Sequence, residues 1–340
     1  MAQETFCIVA VDPLPPKLQD LFRQQLPAGG FRFVCPEGPR TDELLGLARQ
    51  AHFLVTRHRI ITKEIMSAAG TRLRLIQVMG RLPDRVDLES AKSAGVPVAT
   101  MPHGGAIAVA EHTMTLMLAV ARKLPAGHQG VVGGKYRESG LEPARTSEWS
   151  FSFNWLGFPD VVELRGRTLG LIGLGEIGRE VACRARAFDM KILYCQRRRL
   201  SACYEKLLGV RMAGLEELLR ESDIVSLHVP HTDETERMLG ATRLALMKPS
   251  SFLVNTARGG LVDEAALIDC LRARRIAGAG LDVFVQEPLP AGHPLLGLDN
   301  VVLTPHIGGG SGGGQKLHFR QVIENLLAAA GGGTPHNLVE

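Results

Sequence analysis

The sequence predicts an α/β protein of two domains, each a parallel sheet flanked by helices, and three observations carry that prediction. Short β-type runs alternate with helical patterns from the first residues, the alternation breaks over 125–165, and it then restarts for a second full series. Such alternation means βαβ units, in which a crossover helix brings each strand parallel to the one before it. A chain of 340 residues is long enough for two domains with separate cores.

In the first series 6–11, 31–35, 53–56, 73–78 and 96–99 read as strands, and 17–26, 41–50, 62–69 and 87–94 as helices. Thr62 and Asp87 have the short polar side chains of N-caps, and Gly70 and Gly95 stand where a helix stops. A long helix is predicted over 107–124, with Met114, Met117, Leu118 and Ala121 at helical spacing as a core-facing stripe. Residues 125–165 are Gly-rich, then polar, then aromatic (Trp149, Phe151, Phe153, Trp155, Phe158), and read as an irregular connection. The second series gives strands 168–172, 191–195, 224–228, 252–255, 278–282 and 301–303, with helices 177–187, 214–221, 242–247 and 263–274. A last amphipathic helix, 317–330, has no strand after it, so its apolar face needs cover on an existing domain, the first being expected. The Gly-rich runs 308–314 and 331–333 read as loops or hinges.

Composition excludes several classes. Lys and Arg number 39 against 35 Asp and Glu, a balance of +4 without a clustered basic face, which argues against nucleic acid as partner. No apolar run approaches the roughly 18 residues that cross a bilayer, and no basic leader opens the chain, so a cytoplasmic protein without membrane contact is expected. Cys7, Cys35, Cys183, Cys195, Cys203 and Cys270 are scattered without a Cys-x-x-Cys pair, which fits reduced thiols. Nothing has metal-ligand spacing, and no metal is expected.

The strongest local motif is Gly173-Leu174-Gly175-Glu176-Ile177-Gly178, directly after a predicted strand and opening a predicted helix. In this setting the first glycine permits a tight turn, the second lets a pyrophosphate approach the backbone, and the third allows close helix packing. The helix N-terminus then faces the anion. At the end of the next strand an NAD site usually places Asp or Glu for the ribose hydroxyls. Here Gln196 is followed by Arg197, Arg198 and Arg199. A neutral amide does not repel a 2′-phosphate and guanidinium groups hold one, so NADP(H) is the expected cofactor, with NAD(H) as the alternative.

Three further segments follow in order. Leu253-Val254-Asn255-Thr256-Ala257-Arg258-Gly259-Gly260 ends a strand with an Arg; Gly280-Leu281-Asp282-Val283-Phe284 leads into Glu287-Pro288; Thr304-Pro305-His306-Ile307-Gly308 comes last. With these motifs the chain resembles the D-isomer-specific 2-hydroxyacid dehydrogenase family, and its glyoxylate/hydroxypyruvate reductase-like members, from about Leu73 to Asn325. The resemblance implies two Rossmann-like domains with the active site in the cleft between them. A dinucleotide-binding Rossmann domain over 105–304 would be inserted into a flavodoxin-like substrate-binding domain made of 1–104 and 305–340. It makes Arg258 the clamp for the substrate carboxylate, His306 the proton donor and acceptor, and Glu287 the group that orients His306. It also assigns Asp282 to the nicotinamide carboxamide, puts His228, Val229 and Pro230 on the adenosine side, and adds Thr256 and Ala257 to the cofactor set. Glu111-His112 matches a family signature at the start of the long helix, which usually contributes to a twofold interface, so a homodimer is expected. These residue types suit the chemistry. A 2-oxo acid presents a planar carboxylate to the Arg fork, and charge grows on the carbonyl oxygen as hydride reaches the carbon, where an imidazolium stabilises it.

One segment departs from the family pattern. Where a Gly-x-Gly turn usually helps bind the substrate carboxylate, this chain reads Gly80-Arg81-Leu82-Pro83-Asp84. Arg81, between Gly80 and Leu82 in the candidate substrate-binding turn, is read either as a contact to an anionic substrate group or as an outward-facing side chain. The expected reaction is NAD(P)H-dependent reduction of a small 2-oxo acid, of the glyoxylate or hydroxypyruvate type, to the D-2-hydroxy acid. The rivals are phosphite oxidation, suggested by Arg81, and a nucleotide-sensing corepressor with negligible turnover. Formate oxidation fits less well, because relatives with that activity have Gln where Glu287 stands.

Overall fold

The computed structural model describes residues 5–38, 40–102, 104–309 and 313–339, so that 310–312 of the predicted glycine hinge lie outside the described residues. The chain divides into two compact units, one of Met1–Ile107 with Gly310–Glu340 and one of Ala108–Gly309.

The first unit begins with β1 (Phe6–Ala10), α1 (Pro16–Arg23), β2 (Phe31–Val34), α2 (Thr41–Ala48), β3 (Phe53–Thr56), α3 (Lys63–Ala69), β4 (Leu75–Val78), α4 (Leu88–Ser93) and β5 (Val98–Thr100). All five strands are parallel, in the order β2-β1-β3-β4-β5, which reverses direction between β1 and β3. The predicted caps act as such: Thr62 accepts from the Ile65 N–H and Asp87 from the Ser90 N–H, while Gly70 and Gly95 take positive φ where their helices end.

Helix α5 (Gly104–Ala121) starts earlier than its pattern predicts and stops at a left-handed Lys123, after which α6 (Leu124–Val132) begins. Residues 125–165 are thus not wholly irregular as the sequence predicts, and a short 3-10 turn, Lys135–Ser139, follows α6. The Pro and two Gly of α6 read as breakers. However, a Cβ on Gly130 would lie 2.7 Å from a Leu156 methyl, so the gap there admits the returning chain.

The second unit continues with β6 (Thr168–Ile172), α7 (Glu176–Arg186), β7 (Lys191–Cys195), α8 (Ala202–Leu208), β8 (Val210–Met212), α9 (Leu215–Glu221), β9 (Ile224–Leu227), α10 (Ala241–Leu244), β10 (Phe252–Asn255), α11 (Glu264–Arg272), β11 (Gly278–Leu281) and β12 (Val301–Leu303). Its seven strands are parallel in the order β12-β11-β10-β9-β6-β7-β8, with the reversal between β6 and β9. The sequence pattern misses α8 and β8; three residues with Arg211 at the centre are too short and too polar to read as a strand.

Helix α12 (Gly313–Ala330) returns to the first unit. Its Phe319, Val322, Ile323 and Leu326 are buried with Ile8, Phe22, Phe33 and Leu75, a burial of about 1.5–3 kcal/mol for each side chain. Alternate residues of β1 serve the opposite core, where Cys7, Val9 and Val11 pack with Leu44, Leu54 and Ile76. Covering both faces in this way is what a parallel sheet requires. Among the described residues no helix is long and apolar enough to cross a membrane.

Candidate active site

The turn between β6 and α7 sits at the strand-order reversal of the second unit. Gly173 has φ +98°, and a Cβ there would meet the His228 carbonyl oxygen at 2.5 Å; a Cβ on Gly178 would meet the Gly173 oxygen at 2.4 Å. The fold itself therefore requires those two glycines. Gly175 is different: its φ is −74° and nothing lies within 4 Å of an added Cβ. Helix α7 starts from Gly175 without a side-chain cap, with Glu176 and Ile177 in its first turn. The N-terminal N–H groups and dipole of an 11-residue helix beside open space fit a dinucleotide pyrophosphate. His228 closes the turn from β9; its Nε2 lies 2.9 Å from Ser226 Oγ, and burial pushes its pKa down to about 3, so the ring is neutral. Val229 and Pro230 follow it, Val229 within 3 Å of a Cβ on Gly173.

At the end of β7, Gln196 Oε1 accepts the Leu174 N–H (3.3 Å) and its Nε2 donates to the Arg198 carbonyl (2.5 Å). Of the basic cluster, Arg199 is paired in a two-bond fork with Glu205, whereas Arg197 is 92% exposed with only a 3.8 Å contact to Glu234, and Arg198 is exposed. The structure thus separates one committed guanidinium from two that face solvent.

The ends of β10, β11 and β12 bring Arg258, Glu287 and His306 together. His306 Nδ1 and Glu287 Oε2 are 2.6 Å apart, and Glu287 Oε1 accepts the Phe284 N–H at 3.0 Å. Partial burial works against ionisation of Glu287, yet the His306 and Phe284 hydrogen bonds and the charges of His306 and Arg258 hold its carboxyl below the ordinary range. Arg258 is exposed, its Nη1 donating to the Ala257 carbonyl, while Thr256 is buried with its hydroxyl 2.9 Å from that of Thr113. A cavity of about 500 Å³ opens beside the pair, lined by Phe284, Glu287, Leu289, Leu303 and His306 among others.

His306 has φ +55°, a left-handed conformation that costs a non-glycine residue on the order of 1 kcal/mol. Asp282, 1% exposed, supports it: Oδ1 accepts from the Thr304 hydroxyl (2.6 Å) and the Ile307 N–H (3.0 Å), and Oδ2 from the Gly308 N–H (2.8 Å). His112 on α5 closes the network, with Nε2 2.9 Å from Thr304 Oγ1 and 3.2 Å from Asp282 Oδ1. The carboxylate that the resemblance assigns to the nicotinamide carboxamide also holds the turn that carries His306. Sequence reasoning overlooked Thr304 and Thr113, although Thr304 stands two residues before His306.

Gly80, Arg81 and Leu82 lie in the first unit, at the end of β4. Leu82 is 1% exposed, so its side chain belongs to the core and only its backbone is left for a ligand; Gly80 is also buried and Arg81 half-buried. The turn after β3 carries no motif that marks it in the sequence. There buried Asp12 accepts the N–H groups of Arg57 (2.6 Å), His58 (3.1 Å) and Arg59 (3.0 Å), fixing a basic segment at the end of β3. Among the described residues no three His, Cys, Asp or Glu side chains gather as a metal site.

Residues 114–308 match the model of the D-isomer specific 2-hydroxyacid dehydrogenase, NAD binding domain. Over 309 residues the chain is 40% identical to the glyoxylate reductase of Aeropyrum pernix, covering 88% of this chain and 86% of that one. It is 37% identical over 332 residues to the glyoxylate reductase of Thermococcus litoralis, covering 93% and 95%. Among solved structures, the NADPH-dependent glyoxylate/hydroxypyruvate reductase of Sinorhizobium meliloti, in complex with NADP and malonate, aligns with a TM-score of 0.54 and 28% identity over 99% of this chain and 97% of that one. Strand order, glycine turn and sequence likeness over most of its length agree, and the chain belongs to the D-isomer specific 2-hydroxyacid dehydrogenase family.

Proposed function

We propose that this oxidoreductase reduces a small 2-oxo acid, of the glyoxylate or hydroxypyruvate type, to the D-2-hydroxy acid, with NADP(H) preferred over NAD(H). The observation that carries the reading is the 2.6 Å contact between His306 Nδ1 and Glu287 Oε2 beside Arg258, on three strand ends of one dinucleotide-type sheet. A reduced nicotinamide, when bound, supplies the hydride. Arg258 holds the substrate carboxylate in its planar fork and draws charge toward the adjoining carbonyl oxygen. Glu287 fixes the ring through Nδ1 and leaves Nε2 of His306 to deliver the proton as charge develops on that oxygen; in the reverse direction the same atom accepts it. Gly175 and the first turn of α7 would receive the pyrophosphate, and Arg197 and Arg198 a 2′-phosphate.

The first unit, which covers most of the expected 1–104 and 305–340, is proposed as the substrate-binding domain, with Gly80 and Arg81 at its substrate end, and the second, Ala108–Gly309, as the cofactor domain, to which His306 belongs. A cytoplasmic homodimer is proposed as the working form. The dimer reading is supported by the 149–155 segment, where Trp149 is 93% and Phe153 84% exposed, large aromatics of the kind that a subunit contact would cover. The test follows NADPH, then NADH, absorbance against a panel of 2-oxo acids, with phosphite plus NADP⁺ as a control. Turnover of glyoxylate or hydroxypyruvate that favours NADPH is expected. Turnover of phosphite alone, or ligand binding with negligible kcat, would replace this reading by one of its rivals.

A further inference from the structure

The turn that carries the exposed Arg197 and Arg198 is tied down by buried polar groups that neither the hydride chemistry nor the core requires. Tyr194 is fully buried in β7, yet its hydroxyl donates to Glu205 Oε1 (2.7 Å) and accepts the Leu200 N–H (3.0 Å). Glu205, 8% exposed on α8, receives Arg199 through two parallel bonds, Nε to Oε1 and Nη2 to Oε2, both 2.9 Å. At the other end of the turn the Gln196 amide holds the Arg198 carbonyl, and its own oxygen is held by the Leu174 N–H of the glycine turn. A phenol and a carboxylate buried beside a sheet are costly unless fully paired, and here they pair with each other and otherwise with the Leu200 N–H and Arg199 of the turn.

We propose that Tyr194, Glu205 and Arg199 form a positioning cluster for cofactor choice, holding the 196–200 turn so that Arg197 and Arg198 are presented, pre-ordered, to a 2′-phosphate. The inference rests on the NADP(H) preference proposed above. Two features of charge agree with it. The Arg199 fork, followed by the Tyr194 hydroxyl, holds the Glu205 carboxyl below its ordinary range, so Glu205 stays ionised and neutralises Arg199. Burial and the bond to Glu205 push the Tyr194 phenol up to about 12, so it remains a donor. The positive charge left for a ligand is then that of Arg197 and Arg198, on a turn whose ordering has been completed before binding. Ordering a turn in advance lowers the entropy that the ligand must overcome.

The test is calorimetric titration of the protein with 2′,5′-ADP and with 5′-AMP, which lacks the 2′-phosphate. Tyr194→Phe, Glu205→Gln and Arg199→Lys are each expected to weaken 2′,5′-ADP by about tenfold and to leave 5′-AMP within about twofold. Arg199→Lys keeps the charge, loses the fork and lies on an exposed side chain, so it stays informative if a buried variant does not fold. Loss of both ligands in parallel would mean a merely structural cluster, and unchanged affinity for both would mean none; either result overturns the proposal. The double variant Arg197→Ala, Arg198→Ala separates the underlying reading: if it binds 2′,5′-ADP as the wild type does, the NADP(H) preference fails and the cluster's role with it. If it alone loses 2′,5′-ADP, the preference stands and the positioning role falls.

Discussion

The two units share one architecture, a parallel sheet with helices on both faces, and differ in how the turns at their strand ends are satisfied. In the first unit the turn after β3 is closed from within, because the Asp12 carboxylate accepts three successive backbone N–H groups. In the second, the turn after β6 opens onto a helix whose first residue has no side-chain cap and whose middle glycine borders open space. The first unit closes its turn with its own carboxylate, whereas the turn that opens α7 has no such side-chain anion at its N-cap, which is why it is the proposed place for a pyrophosphate. Fold class alone therefore does not locate function; the hydrogen-bond inventory at the strand ends does.

The comparison is broken most severely at the second unit's chemistry. His306→Asn keeps a polar side chain of similar reach but cannot hold a proton and deliver it to the substrate oxygen, and kcat for 2-oxo acid reduction should fall roughly 10²–10⁴-fold. Cofactor affinity, read by NADPH fluorescence, should change little. A variant with wild-type kcat would remove His306 from the reaction.

On the first unit's side, Asp12→Ala strips the partner from three N–H groups at once. Each net bond to a charged acceptor contributes about 1.5–3 kcal/mol, and water replaces part of it, so a loss of about 3 kcal/mol of stability is expected in chemical denaturation. Affinity for 5′-AMP should stay within about twofold, since the binding turn lies in the other unit. Equal losses of stability and nucleotide affinity would contradict the division of roles between the two turns.

Gly175→Ala sharpens the contrast within one motif. The position has ordinary φ and room for a methyl group, so stability should stay within the roughly 0.5 kcal/mol usual for open surface sites, while NADPH should bind about tenfold more weakly. Gly173→Ala, whose methyl would overlap the His228 carbonyl, should instead destabilise the fold. If both variants melted alike, the assignment of the middle glycine to the ligand would lose its basis.

The sequence showed these features unevenly, for physical reasons. Strands buried on both faces appear as continuous apolar runs, and the glycine motif is legible because steric demand allows no other residue at Gly173 and Gly178. Helix α8 and the short edge strand β8 left little periodic trace, and α6 was hidden by a Pro and glycines that accommodate Leu156. The residues of the candidate site were legible as types at spacings, but their division of labour was not. Asp282 is expected as a ligand contact, and its second role, support of the left-handed turn at His306, has no trace in the sequence; Arg199 reads like its neighbours although Glu205 has already engaged it. Pairing partners distant in sequence decide such roles, and local pattern carries no information about them.

The smallest expected effect concerns the Glu287–His306 contact and its response to acid. In the folded protein the Glu287 carboxyl titrates below its ordinary value of 4.5, because the hydrogen bonds from His306 and Phe284 and the nearby positive charges outweigh the opposing effect of burial. The unfolded chain therefore takes up the proton first as pH falls. The stability contributed by the ionised carboxylate is complete above the unfolded value and is lost as pH drops through the folded one. Glu287 is about one-third exposed, so solvent screens the pair and the contribution is modest. Melting curves of the wild type and of Glu287→Gln, collected from about pH 5.5 down to about pH 3, should show a small Tm advantage for the wild type that narrows only at the acid end. A gap that widened with acid would mean that Glu287 is held protonated in the fold, and an acceptor that already carries its own proton would not orient His306 through Nδ1.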